Sequence, residues 1–136
     1  MLLKVFLIED SPALRAHLTH MLTSKGNVDI VGVAQTESQA IAWLDRNAHQ
    51  WDIALVDLFL EEGSGMGVIQ HCHDRRPDQS VLVMTNHALD DALLHQCKLL
   101  GADAAFHKAT ELDKLVAYCT KLSASKPRRA AGIPAA

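Results

Sequence analysis

The stretch Ala54–Val68, ALVDLFLEEGSGMGV, places a single aspartate, Asp57, near the end of an apolar run. The run is typical of a buried strand, and the segment after it carries two glutamates and three glycines. A carboxylate in this position is costly unless a counter-charge or a metal ion compensates it. The compensating groups must therefore come from other parts of the chain that the fold brings to the end of this strand.

Length and composition indicate one soluble domain. The chain has 136 residues, of which 49% are apolar, and a net charge of −3. A chain of this length buries roughly two-thirds of its unfolded surface, which is enough for a real core. The charge gives no broad basic field for nucleic acid, and the basic cluster Lys126, Arg128 and Arg129 lies in a Pro/Gly/Ala-rich end that we interpret as a linker.

Targeting and membrane signals are weak. The apolar runs are far shorter than the roughly 20 residues of a membrane span. The N-terminal run is too short for a secretory signal and passes directly into acidic residues. We therefore expect a cytoplasmic protein that does not contact a membrane.

The cysteines do not predict a disulfide framework. Cys72, Cys97 and Cys119 are odd in number, widely spaced and each set in a helical pattern, as expected of small buried side chains. The neighbouring His71 and His73 do not favour a metal site with Cys72, because adjacent residues on a helix point in different directions. The histidines form no HExxH motif, so nothing here indicates zinc.

Strand and helix patterns alternate along the chain. The predicted strands are 2–8, 28–34, 53–56, 80–85 and 104–107. The first predicted helix begins after the cap Ser11 and ends at Gly26. The next three cover residues 37–48, 66–76 and 90–100, the last of these ending before Gly101. The fifth predicted helix runs from the cap Thr110 to Leu122. Strands that are near-continuous apolar runs indicate a parallel sheet covered on both faces. The sequence therefore predicts a doubly wound α/β domain of five strand–helix units.

Polar side chains follow four of the predicted strands. Glu9 and Asp10 follow the first strand, Asp57 follows the third, Thr85 ends the fourth and Lys108 follows the fifth. In a doubly wound sheet these carboxyl ends form the edge where ligands bind. Each residue alone could be structural, as a turn cap, a strand end or a surface lysine. Together at this edge they favour a functional site.

The residue types at this edge predict a magnesium and phosphoryl site. Two carboxylates about 4 Å apart repel each other by on the order of 4 kcal/mol at an effective dielectric constant near 20. A divalent cation removes that cost, and oxygen ligands without His or Cys favour Mg²⁺. Lys108 could neutralise a phosphoryl oxygen and Thr85 could donate a hydrogen bond to another. Asp57 is then a candidate nucleophile that forms an aspartyl phosphate.

These residues, in their order and spacing, resemble the response-regulator receiver domain of two-component signalling. The matching segments are Glu9-Asp10 before Ser11-Pro12, DLFLEEGSG from position 57, the strand end at position 85 and GADAAFHK at positions 101–108. The resemblance spans about residues 2–122. It implies a flavodoxin-like fold with a five-stranded parallel sheet of order 2-1-3-4-5, a receiver domain at 1–122 and a tail or linker, expected to be disordered, at 123–136.

The resemblance also implies a set of metal ligands. Asp57 would be the phosphoacceptor and Asp10 the main metal carboxylate. Glu9 would act on Mg²⁺ through a water molecule, and the backbone carbonyl of Phe59 would complete the protein ligands. By the same resemblance, Thr85 and Lys108 would be the switch hydroxyl and the phosphoryl-binding lysine.

The implied function is a signalling switch, not an enzyme beyond self-phosphorylation and autodephosphorylation. A phosphohistidine on a histidine kinase or a histidine phosphotransfer protein would donate the phosphoryl group. The modified charge would bias a two-state equilibrium and switch a protein-binding face toward a downstream protein. The resemblance also allows a homodimer through the face of the fourth helix, fifth strand and fifth helix, and implies no nucleic-acid contact by this domain. The chain is either a stand-alone receiver or the receiver part of a longer protein.

Four positions depart from the family pattern. Glu61 replaces the usual proline, which predicts a mobile, acidic loop beside the metal, and Asn86 replaces a small residue after the switch threonine. Ala109 replaces a proline after the lysine, and Ala105 replaces the aromatic switch residue. Phe106 lies one residue later, which in a strand turns its side chain to the opposite face. We therefore predict that Phe106 is part of the core in both signalling states and that residues 85–87 and the start of the fourth helix carry activation.

Two other functions remain as alternatives. The Asp–Mg–Lys chemistry resembles that of haloacid-dehalogenase phosphatases, but those carry a second acid at the position of Phe59. A degenerate receiver that binds partners without phosphorylation is the other alternative. The complete set of acids, threonine and lysine argues against it.

Overall fold

The computed structural model describes residues 2–25 and 27–125, in which strands and helices alternate. The strands are β1 (Leu3–Ile8), β2 (Val28–Ala34), β3 (Ile53–Asp57), β4 (Ser80–Thr85) and β5 (Ala104–His107). The helices are α1 (Pro12–Ser24), α2 (Glu37–Arg46), α3 (Gly65–His71), α4 (Asp91–Leu100) and α5 (Leu112–Ser125). Gly26, predicted to end the first helix, and the basic cluster of the predicted tail lie outside the described residues.

The five strands form one parallel sheet of order β2-β1-β3-β4-β5, which confirms the predicted fold. β3 is central and every one of its residues is buried, Asp57 included. Its register pairs Val56 with Ile8 of β1 and Asp57 with Met84 of β4. The strand that carries the single carboxylate is thus flanked on both sides, and its carboxyl end opens between β1 and β4.

Alternate residues of the strands form two cores. On one face, β1, β3 and β4 residues such as Phe6 and Val56 pack with side chains of α2, α3 and α4. On the other face, residues such as Leu55 and Phe106 pack with side chains of α1 and α5. Phe106 is 9% exposed and meets the Tyr118 ring edge to face at 5.6 Å. This confirms that Phe106 is buried in this structure, on the face opposite to Ala105.

The three cysteines are free and buried, as predicted. Cys72 and Cys97 belong to the core that faces α2, α3 and α4, while Cys119 belongs to the opposite core. Burial raises the pKa of the Cys72 thiol to about 11 and that of Cys119 to about 12. These thiols therefore act as apolar side chains at neutral pH.

One helix start and one helix end follow the predicted local signals. Ser11 caps α1 by accepting a hydrogen bond from Leu14 N, and Pro12 is the first helical residue. Gly101 ends α4 in a left-handed conformation with φ of 111°, which glycine adopts without strain. Asp90 caps α4 by accepting from Leu93 N.

Two predicted helices are too long. α2 ends at Arg46 and not at 48, because Asn47 leaves the helical conformation and its Nδ2 donates to the carbonyl of Trp43. α3 ends at His71 and not at Arg76, since the chain turns after Cys72. Arg75 holds this turn by donating to the carbonyls of Cys72, Gln79 and Gly101.

The last helix also differs from its prediction. Thr110 is not the cap, because residues 108–110 form a turn in which Glu111 N donates to the carbonyl of His107. α5 then begins at Leu112 and continues to Ser125, past the predicted end at Leu122. In the part of the chain that the structure describes, no helix is long and apolar enough to cross a bilayer.

Candidate functional site

The carboxyl ends of β1 and β3 bring three acids together. Glu9 and Asp10 directly follow β1, and Asp57 is the last residue of β3. One carboxylate oxygen of each residue lies within 4.8 Å of the other two. Glu9 and Asp57 are buried, whereas Asp10 is partly exposed. The sheet thus places the three predicted acids at one point that solvent reaches from the side of Asp10.

Lys108 provides the positive charge between two of these acids. Its Nζ donates a 3.0 Å hydrogen bond to Asp57 Oδ2 and lies 2.9 Å from Glu9 Oε1. Burial alone would lower the pKa of Lys108, but the neighbouring Glu9 and Asp57 carboxylates raise it overall. Burial raises the pKa of both carboxyls, and Lys108 opposes that rise. One ammonium is shared by two carboxylates, and Asp10 adds a third carboxylate. The negative charges at the site therefore outnumber the positive charge of Lys108, which favours the binding of a cation.

Glu9 is held from several directions. Its Oε2 accepts a hydrogen bond from Ser11 N at 3.0 Å. Its Oε1 forms the ion pair with Lys108 but lacks a well-aligned hydrogen-bond donor, although it is buried. Arg15 Nη1 donates to the backbone carbonyl of Glu9 at 2.9 Å. Arg15 was not among the predicted site residues. Its position one helical turn after the cap of α1 is the sequence feature that could have indicated its place beside Glu9.

The loop between β3 and α3 closes over the acids with its backbone. Phe59 N donates to Asp57 Oδ1 at 3.3 Å, and Glu61 N donates to Asp10 Oδ2 at 2.8 Å. An isolated bridge joins Phe59 to Ser64 across the loop. The loop predicted to be mobile because Glu61 replaces a proline thus contacts both aspartates of the acid cluster through its backbone, and its mobility stays a prediction.

Thr85 lies at the same edge but is not bonded to the acids. It is fully buried and follows Met84, the β4 partner of Asp57. Its hydroxyl accepts a 3.0 Å hydrogen bond from His87 N, and its carbonyl accepts one from Lys108 N at 2.8 Å. In the described part of the chain, the Thr85 hydroxyl makes no hydrogen bond with Asp57.

Two rings lie beside the site. The Phe59 and His87 rings are 3.9 Å apart and tilted by 34°. Each follows a predicted site residue by two positions, Phe59 after Asp57 and His87 after Thr85. Phe59 is 44% exposed, so the ring pair forms part of the outer boundary of the site.

The residues present fit the predicted magnesium ion. The clustered donors are all carboxylate oxygens, which a hard divalent cation prefers. The predicted ligand set of Asp10, Asp57, the Phe59 carbonyl and, through water, Glu9 remains a prediction.

Comparisons with known proteins give one family. The family model described as the response regulator receiver domain matches residues 5–120. The chain is 31% identical over 93 residues to the DNA-binding transcriptional activator DevR/DosR of Mycobacterium tuberculosis, covering 68% of this chain and 42% of that protein. It is 30% identical over 83 residues to the photosynthetic apparatus regulatory protein RegA of Cereibacter sphaeroides, covering 61% and 43%. The chain spans about half the length of the curated relatives it matches.

Solved structures share the fold. The response regulator domain of Thermotoga maritima CheB superposes with a TM-score of 0.79 at 15% identity, covering 93% of this chain and 100% of that one. A chain of the CheX–CheY–BeF3–Mg²⁺ complex from Borrelia burgdorferi gives a TM-score of 0.78 at 18% identity, covering 88% of each chain. At these identities the likeness shows a common architecture.

Proposed function

The chain belongs to the response regulator receiver domain family, and on that premise we propose that Asp57 accepts a phosphoryl group from a phosphohistidine. The donor would be a histidine kinase or a histidine phosphotransfer protein. The observation that carries the proposal is the Lys108–Asp57 hydrogen bond inside the acid cluster at the carboxyl edge of the sheet. This arrangement holds a buried carboxylate beside both a fixed cation and a set of oxygen ligands.

In the proposed reaction an Asp57 carboxylate oxygen attacks the phosphorus atom. The new P–O bond forms as the P–N bond to the donor histidine breaks, and the electron pair returns to the imidazole nitrogen. A Mg²⁺ held by Asp10, Asp57 and the Phe59 carbonyl, with Glu9 acting through water, would neutralise charge on the phosphoryl oxygens. Lys108 orients Asp57 before the transfer and neutralises a phosphoryl oxygen after it.

The modification would act as a switch. Two negative charges on Asp57 would draw the Thr85 hydroxyl from its present partner, His87 N, and shift the loop after β4. Moving a two-state equilibrium from mostly inactive to mostly active needs about 5.5 kcal/mol of differential interaction. We propose that the switched surface binds a downstream protein or a second copy of this chain through the α4–β5–α5 face. DevR/DosR is described as DNA-binding, but we propose no nucleic-acid contact for this domain.

Replacing Asp57 with asparagine tests the proposal. The wild-type chain, incubated with Mg²⁺ and acetyl phosphate, should gain one phosphoryl group, and Asp57→Asn should gain none while keeping its fold. Asp29→Asn changes an exposed aspartate of β2 and should behave as wild type. Intact-mass and peptide mass spectrometry give the readout. Full labelling of the Asp57→Asn chain at another residue would overturn the assignment, and an unlabelled wild-type chain that also ignores beryllofluoride would favour a phosphorylation-independent binding module.

A further inference from the structure

Glu37 connects α2 to the loop between β3 and α3. It is the first residue of α2 and lies after β2, at the same edge of the sheet as the acid cluster. Its Oε1 accepts a 2.8 Å hydrogen bond from Ser64 N, and its own backbone N donates to the Glu62 carbonyl at 3.2 Å. One residue thus bonds two points of the loop, once as an acceptor and once as a donor.

Two glycines make room for the Glu37 side chain. A Cβ atom at Gly67 would overlap Glu37 Oε2, and a Cβ atom at Gly63 would overlap Glu37 Cβ. Gly63 also has φ of 84°, a conformation that other residues rarely adopt. The Glu37 side chain therefore lies in close contact with the β3–α3 loop and with α3, and a side chain at position 63 or 67 would prevent this contact.

The same loop faces the metal-site aspartates with its other end. Glu61 N bonds to Asp10 and Phe59 N bonds to Asp57, while Glu37 holds the segment that follows. Glu37 is not among the acids whose oxygens lie within 4.8 Å of one another. Any effect that it has on metal binding beyond its charge must therefore pass through the loop backbone.

We propose that Glu37 is a positioning residue, whose carboxylate latches the β3–α3 loop so that its backbone is held against Asp10 and Asp57. The latch supplies the stiffness that a proline in place of Glu61 would give by restricting the backbone. Its role in phosphotransfer rests on the proposed function of Asp57. Its role in Mg²⁺ binding and loop order does not require phosphotransfer.

Four variants separate the latch from charge and from global stability. Glu37→Ala removes the acceptor for Ser64 N, and Glu37→Gln keeps a carbonyl oxygen that can accept the same bond. Glu62→Ala removes an exposed carboxylate of the same loop and is the charge control. Gly67→Ala displaces the carboxylate while Glu37 remains, and alanine is the better helix former at this position in α3.

The readouts are exchange of the Ser64 amide by NMR, Mg²⁺ affinity by calorimetry and the rate of phosphorylation by acetyl phosphate. Glu37→Ala and Gly67→Ala should speed Ser64 exchange, and each should weaken Mg²⁺ binding and slow phosphorylation about tenfold, because small misplacements of positioning groups are costly. Glu37→Gln should recover most of the loss, and Glu62→Ala should change little. The double variant that combines Glu37→Ala with Gly67→Ala should match Glu37→Ala alone, since both substitutions remove the same contact.

Three results would overturn the latch. Equal effects of Glu37→Ala and Glu62→Ala on Mg²⁺ affinity would show that charge alone matters. A lower unfolding midpoint in Glu37→Ala, with unchanged Mg²⁺ affinity and unchanged rate, would show a purely structural role. Additive losses in the double variant would show that Gly67 and Glu37 act separately. If the wild-type chain takes no phosphoryl group, the proposed function fails, and Ser64 exchange and Mg²⁺ affinity still decide whether the latch exists.

Discussion

Lys108 contacts two buried carboxylates at once, and this distinguishes it from a lysine at the surface. Its side chain is 10% exposed, whereas that of Lys114, which pairs with Glu111 at 3.4 Å, is 68% exposed. An exposed pair of the latter kind contributes little to stability. Removing one partner from a buried ion pair lowers the free energy of unfolding strongly, because the remaining charge stays in the protein interior without water or a counter-charge.

Lys108→Ala should therefore lower the free energy of unfolding by on the order of 3 kcal/mol in the absence of Mg²⁺. Added Mg²⁺ should restore part of the loss, because Glu9 and Asp57 then regain a cation, and phosphorylation should remain impaired because the phosphoryl group lacks its lysine. Chemical denaturation with and without Mg²⁺ measures both effects, with Lys114→Ala as the control. A Lys108→Ala chain as stable as the Lys114→Ala control would show that the Lys108 ammonium does not stabilise the buried Glu9 and Asp57 carboxylates.

Asp10 and Glu9 differ in the way each would support the metal. Asp10 is partly exposed and bonded to a loop amide, while Glu9 is fully buried against Lys108. We expect Asp10→Ala to weaken Mg²⁺ binding far more than Glu9→Ala, and Glu9→Ala to cost more stability. Calorimetric titration with Mg²⁺ and thermal unfolding without it provide the two measurements. Equal losses of Mg²⁺ affinity in the two variants would mean that the direct ligand is misassigned.

At the scale of elements, β3 and β4 could be predicted from apolar runs, since a strand buried on both faces needs no tertiary detail to be recognised. β2 is partly exposed and could be predicted from its β-branched residues instead. The ends of α2 and α3 could not be predicted in this way. Arg75 holds the turn after α3 partly through the carbonyl of Gly101, which lies 26 residues further along the chain, and no local pattern contains that partner. Glu37 was missed for the same reason, because its role depends on two glycines that are distant in sequence and adjacent in space.

β5 lacks the side chain that would swing in a typical receiver, and the ring at the next position is already in the core. Phe106 packs on Tyr118 beneath α5, whereas Ala105 contacts the opposite core. We expect Phe106 to stay buried when beryllofluoride and Mg²⁺ are added, with the main changes at residues 85–87 and at the start of α4. Structures of the two states, or ring NMR signals, test this directly. A Phe106 ring that is exposed in one state and buried in the other would mean that an aromatic switch operates here after all.

His107 offers β5 another link to the loop after β4. Its Nδ1 accepts a hydrogen bond from Ala109 N, so its Nε2–H donates to the carbonyl of Asn86 at 3.1 Å. The imidazole therefore joins the backbone next to Lys108 to the backbone next to Thr85. His107→Phe keeps a ring and removes both bonds. In NMR spectra taken with and without beryllofluoride, His107→Phe should reduce the chemical-shift changes in α4 while the changes around Asp57 persist. Unchanged shifts in α4 would exclude this link.

At the scale of the whole molecule, the two cores on either side of the sheet each contain a thiol that burial keeps protonated. Cys72 lies in the core beneath α2 and α3, with its pKa raised from 9.0 to about 11. Cys119 lies in the core beneath α1 and α5, with its pKa raised from 9.0 to about 12. Since the ordinary thiol pKa applies to the unfolded chain, the unfolded chain releases these protons first as the pH rises.

The stability that these two thiols contribute should therefore be fully present below pH 9, the unfolded thiol pKa, and should fall as the pH rises from there toward the folded values of about 11 and 12. Each thiol contributes a slope of up to about 1.4 kcal/mol per pH unit in that window. Urea unfolding at a series of pH values measures the slope. Cys72→Ala and Cys119→Ala each leave a cavity that costs stability at every pH, so the slope and not the absolute value is diagnostic. Each variant should lose its share of the alkaline slope, and lines parallel to the wild type would show that the thiols already reach water in the folded protein.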